Sequence, residues 1–399
     1  MNLSRLLRAP RQLHRAAYTL RTGSGAHALD MRSDTVTRPT PRMRQAMADA
    51  VVGDDVFGED PTVRELERLG ARAAGKEAAA LVASGTMGNL ASIMAHAERR
   101  GSELICGDRC HVYLHEQGGA ATLAGVHTRA VRNQLDGSMS VDEVVAALRP
   151  CSGADDDDGH YPRTALVCVE NTHNECGGVP LSLSHLERLA QAVRPLGVKL
   201  HMDGARAGNA AAARGVSLAA VCASVDSVSL CLSKGLGAPV GSLVAGDERF
   251  VARVRRARKA LGGGWRQAGV RAAPGIVALE EMEATLARDH RVARAFADAL
   301  RRSVPGVRFM HGDGPATNLV FFAVDGVSSE ALCAEAAARG LLAYAGYGAR
   351  GDMIRAVVHR DVEEDALLSR GVAAVAESAR AVAAAAAGAA AAAGAVRAR

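Results

Sequence analysis

The sequence has 399 residues, of which 48% are hydrophobic, and this is enough to bury the core of a two-part globular enzyme. Its net charge of +5 comes from the ends of the chain, so the near-neutral remainder argues against a nucleic-acid partner. No membrane span is expected, because the Ala-rich stretch Ala373–Ala395 contains Glu377 and Arg380 and alanine is only weakly apolar.

The first 28 residues are predicted to be a targeting or disordered leader. They are rich in arginine (Arg5, Arg8, Arg11, Arg15 and Arg21) and contain no acidic residue. This composition is typical of a mitochondrial transit peptide, and the alternative is a basic leader without a targeting function on a cytoplasmic protein.

The eight cysteines are scattered in or beside apolar runs, which favours reduced thiols. Cys106 and Cys110 lack a matching second pair, so no metal site is expected.

From Pro41 to about Pro274, short apolar runs alternate with amphipathic stretches, as they do in βαβ units. We therefore predict an α/β fold with a mainly parallel sheet. The loop Asp155–Asp158 is interpreted as a solvated insertion. The predicted strands are Ala79–Ala83, Glu103–Cys106, Ala165–Val169, Lys199–Met202, Ser227–Leu232 and Ser242–Ala245.

The first strand runs into Ser84-Gly85-Thr86, where a helical pattern begins. Glycine and hydroxyl residues at a helix start leave backbone N–H groups free to bind an anion, such as a phosphate. The alternative is ordinary capping of the helix by Ser84 or Thr86. The spacings of a P-loop and of a dinucleotide-binding motif are both absent.

Two further strands end in residues that suit one cofactor. Asp203 lies at the end of one strand and Lys234 at the end of the next, so both are expected at the same edge of the sheet. A lysine there forms a Schiff base with an aldehyde, and a carboxylate pairs with a pyridine nitrogen, which are the two requirements of pyridoxal 5'-phosphate (PLP). The alternative for Lys234 is a solvated surface lysine.

Beyond Pro274 the pattern changes to a long helix from Ile276 to about Val304. Strands follow at Asn318–Ala323 and Asp352–His359, with a helix over Ser329–Ala337 between them. This region predicts a small α+β domain. Arg355 lies inside an apolar strand, where an unpaired cation is costly, so it is expected to bind an anion or to form an internal salt bridge.

Several long motifs, taken together, resemble the low-specificity L-threonine aldolases. The resemblance covers roughly residues 29 to 370 and implies the PLP fold type I of the aspartate aminotransferases. That fold has a large domain with a mainly parallel seven-stranded sheet and a small C-terminal α+β domain. Residues 29–275 would form the large domain, residues 276–372 the small domain and residues 373–399 an Ala-rich tail. The motifs start at Arg32 (RSDTVTRP), Gly53 (GDDVFGEDPT), Glu170 (ENTHN), His201 (HMDGAR), Ser233 (SKGLGAPVGS) and Gly262 (GGGWRQ).

The resemblance also implies a role for each motif residue. Lys234 would anchor PLP, Asp203 would pair with its ring nitrogen, and His111 would stack on the ring. The phosphate would be held by Gly85 and Thr86, with Arg266 supplied across a subunit interface. The substrate carboxylate would be bound by Ser33, Arg206 and Arg355, and Arg206 would also contact the cofactor side of the site. His173 would lie near the substrate hydroxyl, while His201 is expected to be structural.

The implied reaction is PLP-dependent cleavage of L-threonine or L-allo-threonine to glycine and acetaldehyde. His111, His173 or a bound water would take the hydroxyl proton. The alternatives are a lyase for another β-hydroxy-α-amino acid, such as a phenylserine-like substrate, or a PLP-binding homologue without turnover. A homotetramer with active sites shared between subunits is also expected from the resemblance, with no nucleic acid, membrane or metal involved.

Overall fold

The computed structural model describes residues 28–149 and 160–397 of the chain. The predicted leader, except for residue 28, and the predicted Asp-rich loop therefore lie outside the described residues. Within the described part, two β-sheets, each with its own apolar core, organise the fold.

The larger sheet has seven strands and confirms the predicted fold class. From one edge to the other, the strand order is β2-β8-β7-β6-β5-β3-β4. Only β8 runs antiparallel to its neighbours, so the other six strands end at the same edge of the sheet. The strands are β2 (Ala78–Val82), β3 (Ser102–Gly107), β4 (His127–Val131), β5 (Arg163–Glu170), β6 (Lys199–Asp203), β7 (Ser227–Cys231) and β8 (Ser242–Gly246).

Six of these strands were predicted from the sequence, with ends that differ by at most two residues. The seventh, β4, was not predicted, because this edge strand carries His127 and Arg129 and none of its residues is fully buried. The central strands are buried on both faces, which is why they appear in the sequence as continuous apolar runs.

Helices cover both faces of this sheet and connect its parallel strands. The predicted long helix after Pro274 is two helices in the structure, and the first of them begins at Gly269 and includes Pro274. The helices up to this point are α1 (Pro41–Ala48), α2 (Pro61–Ala74), α3 (Gly85–His96), α4 (His111–Leu114), α5 (Gly119–Thr122), α6 (Val141–Ala147), α7 (Leu183–Val193), α8 (Ala207–Arg214), α9 (Leu218–Cys222), α10 (Glu248–Ala260), α11 (Gly269–Glu280) and α12 (Met282–Ser303).

The C-terminal part forms a smaller domain around a four-stranded antiparallel sheet of order β12-β13-β10-β9. A short strand from the start of the described chain, β1, pairs with β11 beside it, so the N-terminal segment contributes to the core of this domain. The elements are β1 (Leu29–Asp30), β9 (Val307–Phe309), β10 (Leu319–Val324), α13 (Ser329–Ala338), β11 (Leu341–Leu342), β12 (Tyr344–Tyr347), β13 (Met353–Val357), α14 (Glu364–Ala366) and α15 (Val372–Arg397), with a π-helical turn at Leu367–Gly371.

The Ala-rich stretch forms α15, whose first two turns pack against the small-domain core through Val375 and Ala379. Contrary to the expectation from sequence, the helical stretch Glu364–Ala393 is long and apolar enough to cross a membrane, judged by length and composition alone. About a third of its most apolar window is buried in the domain. A helix that packs into a soluble core meets the same criterion, so this finding is weak support for a membrane segment.

Candidate active site

The residues predicted to bind a cofactor follow the carboxyl ends of neighbouring strands. Gly85 follows β2, His111 follows β3, Asp203 ends β6 and Lys234 follows β7. Because these strands point in one direction, their ends meet at one edge of the sheet, which is where ligands bind in open α/β folds. The topology therefore assembles one site from residues that span about 150 positions of sequence.

The N-terminus of α3 provides an open anion site at this edge. Ser84 caps the helix, and its Oγ accepts a hydrogen bond from the backbone N–H of Met87 at 3.2 Å. Ser84 and Thr86 are exposed, and a Cβ atom on Gly85 would lie 2.8 Å from Cys231 Sγ. A larger residue at position 85 would therefore displace the strand end beside it. The capping that the sequence offered as an alternative is present, and the helix N-terminus still faces outward.

Asp203 lies in a buried polar network at the centre of the site. Its Oδ1 accepts a hydrogen bond from the Ala205 N–H at 3.1 Å, and its Oδ2 accepts one from Asn89 Nδ2 at 3.0 Å. The same Asn89 nitrogen donates to Glu116 Oε1 at 2.8 Å. A buried carboxylate is stable only when it is hydrogen-bonded in this way, so its position is fixed before any ligand arrives.

His111 is held against this network from two directions. Its Nδ1 lies 2.8 Å from Glu116 Oε1, and its backbone N–H donates to Glu170 Oε2 at 2.7 Å. Burial alone would lower the pKa of His111, but the hydrogen bond to Glu116 and the charge on Asp203 outweigh it and raise that pKa. Burial raises the pKa of the Glu116 carboxyl. Nε2 of the same imidazole forms no hydrogen bond among the described residues and is therefore the nitrogen left for a ligand.

Lys234 is partly buried in the turn after β7. The Thr37 hydroxyl donates to its backbone carbonyl at 2.9 Å, which fastens the turn to the N-terminal segment. Its positive charge acts on both Asp34 and His111, so the amine lies within electrostatic range of both groups. This placement fits a lysine that bonds to a cofactor.

Arg206 forms a buried two-pronged ion pair with Asp34. Its Nε and Nη2 donate to the two Asp34 oxygens at 2.8 and 2.7 Å, and both side chains are almost completely buried. Burial opposes ionisation of Asp34, but the arginine outweighs it and holds the pKa of that carboxyl well below its usual range. The neighbouring Ser33 caps a short 3₁₀ turn through its Oγ. Only Nη1 of the guanidinium is left by this pair for a ligand.

Arg355, in β13, is buried without an anion. In the described part of the chain its donors reach neutral groups, the Asn174 Oδ1 at 2.8 Å and the Arg32 carbonyl at 2.9 Å. Its Nε has no hydrogen-bond partner there, and the guanidinium lies 4.8 Å from the Tyr347 ring centre. Burial lowers the pKa of this arginine. The internal salt bridge that the sequence left open is therefore absent from the described residues.

His173 and Arg266 lie at the margins of this arrangement. His173 is fully buried in the segment after β5, and neither of its ring nitrogens has a hydrogen-bond partner among the described residues. Arg266 is exposed, and its Nε lies 3.8 Å from Asp54 Oδ2. The glycine loop before it approaches α3, since a Cβ on Gly263 would lie 3.2 Å from Met87 Sδ. Their predicted roles stay predictions.

Three side chains of the network also have the composition of a cation site. His111, Glu116 and Asp203 present ligand atoms within 4.8 Å of one another. Each of these groups already takes part in a hydrogen bond with a neighbour in the network. The same groups suit the ring of an aromatic cofactor, so we assign no metal to them.

The residues present fit PLP. An outward helix N-terminus suits its phosphate, a fixed buried carboxylate suits its ring nitrogen, and the charge of a nearby lysine acts on both His111 and Asp34. The crowding at Gly85 and the buried Asp203 are features of the protein that such a ligand explains. The fold and the site together define a PLP-dependent enzyme.

Comparison with known proteins supports this class and narrows it. Residues 30–326 match the family model "Beta-eliminating lyase". The chain is 45% identical to low-specificity L-threonine aldolase 1 of Arabidopsis thaliana over 338 residues, which cover 84% of this chain and 92% of that protein. It is 41% identical to the low specificity L-threonine aldolase of Escherichia coli (strain K12), over 85% of this chain and 96% of that protein.

A solved structure agrees with this assignment at the level of the fold. The threonine aldolase of Leishmania major superposes with a TM-score of 0.72 at 19% identity, over 87% of this chain and 98% of that one. The chain belongs to the low-specificity L-threonine aldolase family, and PLP is its cofactor.

Four polar residues of the site were not singled out from the sequence. Asn89, Asp34 and Glu170 lie inside motifs that were noticed for their glycines, arginines or histidines, and Glu116 lies in none of these motifs. Their importance comes from hydrogen bonds between distant segments, for example Asn89 with Asp203, which are 114 positions apart. A polar residue inside an apolar helix face, such as Asn89 in α3, is the only local signal that could have indicated one of them.

Proposed function

We propose that the protein cleaves L-threonine and L-allo-threonine to glycine and acetaldehyde. The observation that carries this proposal is Arg355, a buried cation whose hydrogen-bond partners are neutral and which lies within electrostatic range of the Asp34–Arg206 pair. Such a guanidinium is complete only when an anion arrives, and the carboxylate of an amino acid supplies it. The names of the similar proteins support threonine as that amino acid.

Each polar side chain of the site has a separate role in the proposed reaction. When bound, PLP supplies an electron sink for the pair released as the Cα–Cβ bond breaks. Arg355, together with Nη1 of Arg206 and the Ser33 segment, binds the carboxylate and so sets the orientation of that bond. The negative charge of Asp203 is placed to hold a proton on the pyridine nitrogen. Lys234 is the residue whose amine would hold the cofactor.

The β-hydroxyl proton needs a base, and two histidines are candidates. His111 Nδ1 is already bonded to Glu116, whereas both ring nitrogens of His173 are free of hydrogen bonds within the described chain. This difference supports His173 as the base and His111 as the ring-stacking residue. His173→Asn should then lower kcat more than His111→Asn, which should mainly weaken PLP binding.

The substrate proposal is tested by glycine release from a panel of L-threonine, L-allo-threonine and phenylserine. We expect release from both threonines, and loss of release together with loss of the visible absorbance of lysine-bound PLP in Lys234→Ala. Lys199→Ala is the matched control, because Lys199 is exposed at the opposite end of its strand and pairs with Asp226. A protein that binds PLP but releases glycine only from phenylserine would point to the alternative lyase. Absence of release from every substrate would point to a homologue without turnover.

We also propose a homotetramer with active sites shared between subunits. Phe57 and Val51 are 76% and 68% exposed on the segment whose Asp55 N–H donates to the Arg266 carbonyl at 3.0 Å. Exposed apolar side chains next to a predicted phosphate contact support an interface there. Light scattering would give the mass. Mixing the variants Lys234→Ala and Arg266→Ala should restore activity only if one site draws on two subunits.

For localisation we propose mitochondria, on the basis of the acid-free basic leader alone. Residues 1–28 fused to a fluorescent protein should direct it to mitochondria, and replacing the five arginines by glutamine should abolish this. Diffuse cytoplasmic fluorescence of the unaltered fusion would contradict the proposal.

A further inference from the structure

Behind Asp203, away from the lysine, the structure contains a continuous run of polar side chains. Asn89 Nδ2 contacts Asp203, and Asn89 Oδ1 lies 3.2 Å from His201 Nε2. His201 Nδ1 lies 2.8 Å from Ser227 Oγ, which lies 2.7 Å from His96 Nε2. Asn89, His201 and Ser227 are almost completely buried. The run crosses from α3 through β6 to β7 and returns to the last turn of α3.

The carboxylates of Asp203 and Glu116 fix the orientation of the Asn89 amide, the first member of this run. Asn89 presents one amide group to Asp203 and to Glu116, at 3.0 and 2.8 Å. Carboxylate oxygens accept hydrogen bonds, so the side facing them must be the nitrogen, and the amide oxygen faces His201. His201 Nε2 must then carry a proton in order to donate to that oxygen.

The positions of the remaining protons in the run follow because His201 and His96 are both neutral. Burial lowers the pKa of His201 to about 4, so with Nε2 protonated its Nδ1 is a bare acceptor. Ser227 therefore donates its only hydroxyl proton to Nδ1 and must accept from His96 Nε2–H. Burial likewise lowers the pKa of His96, and Phe250 stacks on its ring with centroids 4.3 Å apart. Every donor in the run points toward Asp203.

We infer that His96, Ser227, His201 and Asn89 form a one-way chain of hydrogen bonds that orients the Asp203 carboxylate and holds it in position to pair with the PLP ring nitrogen. The aligned bonds polarise one another, so each member strengthens the donor that reaches the carboxylate. His201, Ser227 and His96 are thus positioning residues that never touch substrate. The inference rests on the predicted role of Asp203 in the proposed function.

The neighbouring serines on β7 provide a matched pair of variants. Ser227 and Ser229 are both buried on one face of the strand, but the Ser229 hydroxyl has no hydrogen-bond partner among the described residues. Ser227→Ala should lower kcat about fivefold, the effect of losing roughly one neutral hydrogen bond, with little change in KM. Ser229→Ala should leave both constants unchanged. Equal behaviour of the two variants would overturn the inference, because a purely structural role gives no reason for a kcat effect at Ser227 alone.

Neutron crystallography of the deuterated, PLP-loaded protein tests the chain without an activity assay. We expect deuterium on His201 Nε2 and His96 Nε2, none on His201 Nδ1, and the Ser227 deuterium directed at His201. Deuterium on His201 Nδ1, or on both of its nitrogens at neutral pH, would overturn the inference. The expected pattern in a protein that releases no glycine from threonine would refute the proposed substrate and leave the chain standing.

Discussion

The two arginines of the site, Arg206 and Arg355, lie in different domains, and different groups compensate their positive charges. Arg206, in the large domain, donates two hydrogen bonds to the buried carboxylate of Asp34. Arg355, in the small-domain sheet, reaches only the neutral Asn174 and a backbone carbonyl, with the Tyr347 ring beside it. Both are buried to a similar degree, with 6% and 7% of their surfaces exposed, so burial does not distinguish them.

This difference indicates that Arg206 mainly supports the fold and keeps one donor for a ligand, whereas Arg355 mainly binds a ligand. A buried cation with a carboxylate partner is already neutralised and mainly joins its surroundings together. A buried cation with neutral partners keeps an unsatisfied charge that an incoming carboxylate would complete. The pair Asp34–Arg206 is therefore expected to support stability, and Arg355 is expected to determine substrate affinity.

The largest expected effect is on stability and follows the loss of the paired charge. Asp34→Asn leaves Arg206 as an uncompensated buried cation, and breaking a buried pair in this way costs about 3–5 kcal/mol. Urea denaturation of the PLP-loaded protein would measure this. Arg38→Gln is a control, since Arg38 is an exposed residue of the same segment. An Asp34→Asn protein as stable as the wild type would show that the two regions do not differ as proposed.

The next effect concerns substrate binding at the other arginine. Arg355→Met should raise the KM for L-threonine about 100-fold, which corresponds to about 2.7 kcal/mol, as expected for losing a charge-assisted grip on a carboxylate. The free energy of unfolding should change by less than about 1 kcal/mol, because the partners lost are neutral. Steady-state kinetics and urea denaturation separate the two quantities. Arg350→Met, at an exposed position in the same domain, should change neither.

The pH dependence of stability gives a second test of the difference between the Asp34–Arg206 pair and Arg355. The folded pKa of Asp34 lies below its unfolded value near ~3.9, so its contribution is complete above about pH 4 and is lost as the pH falls further. The stability gap between the wild type and Asp34→Asn should therefore narrow below about pH 4, by up to about 1.4 kcal/mol per pH unit. Denaturation curves of both proteins between about pH 3 and about pH 7 would show the start of this narrowing. A stability difference that widens as the pH falls would contradict the assigned direction of the Asp34 pKa shift.

Much of the fold could be predicted from the sequence because its signals are local. The buried strands are apolar runs between turn residues, and six of the seven were found in this way. Strand β4 was missed because an edge strand with charged side chains lacks that signal. The helix start at Gly269 was missed because Pro274, interpreted as a boundary, lies inside α11. In each case tertiary packing outweighed the local pattern.

The site was predictable residue by residue but not as a network. Lys234 and Asp203 could be placed at one edge, because strand ends and turn residues mark such positions. The partners that decide what Arg206 and Arg355 do come from segments far away in sequence, 172 positions away for Asp34 and 181 for Asn174. A single sequence contains no local sign of such pairs. It therefore left open whether Arg355 formed a salt bridge, and only the fold could decide.

The smallest expected effect tests whether the Tyr347 ring takes the place of an anion beside Arg355. The negative face of an aromatic ring attracts a guanidinium, and this contact is worth about 1 kcal/mol at a partly exposed site. Tyr347→Leu should therefore lower the free energy of unfolding by about that amount, since a buried cation loses one of the groups that compensate its charge. Tyr347→Phe keeps the ring and should match the wild type. In an Arg355→Met background the leucine substitution should lose this effect, because no cation remains for the ring to stabilise. An undiminished effect there would mean that the ring acts through its packing on Phe321, 5.5 Å away, and not through the arginine.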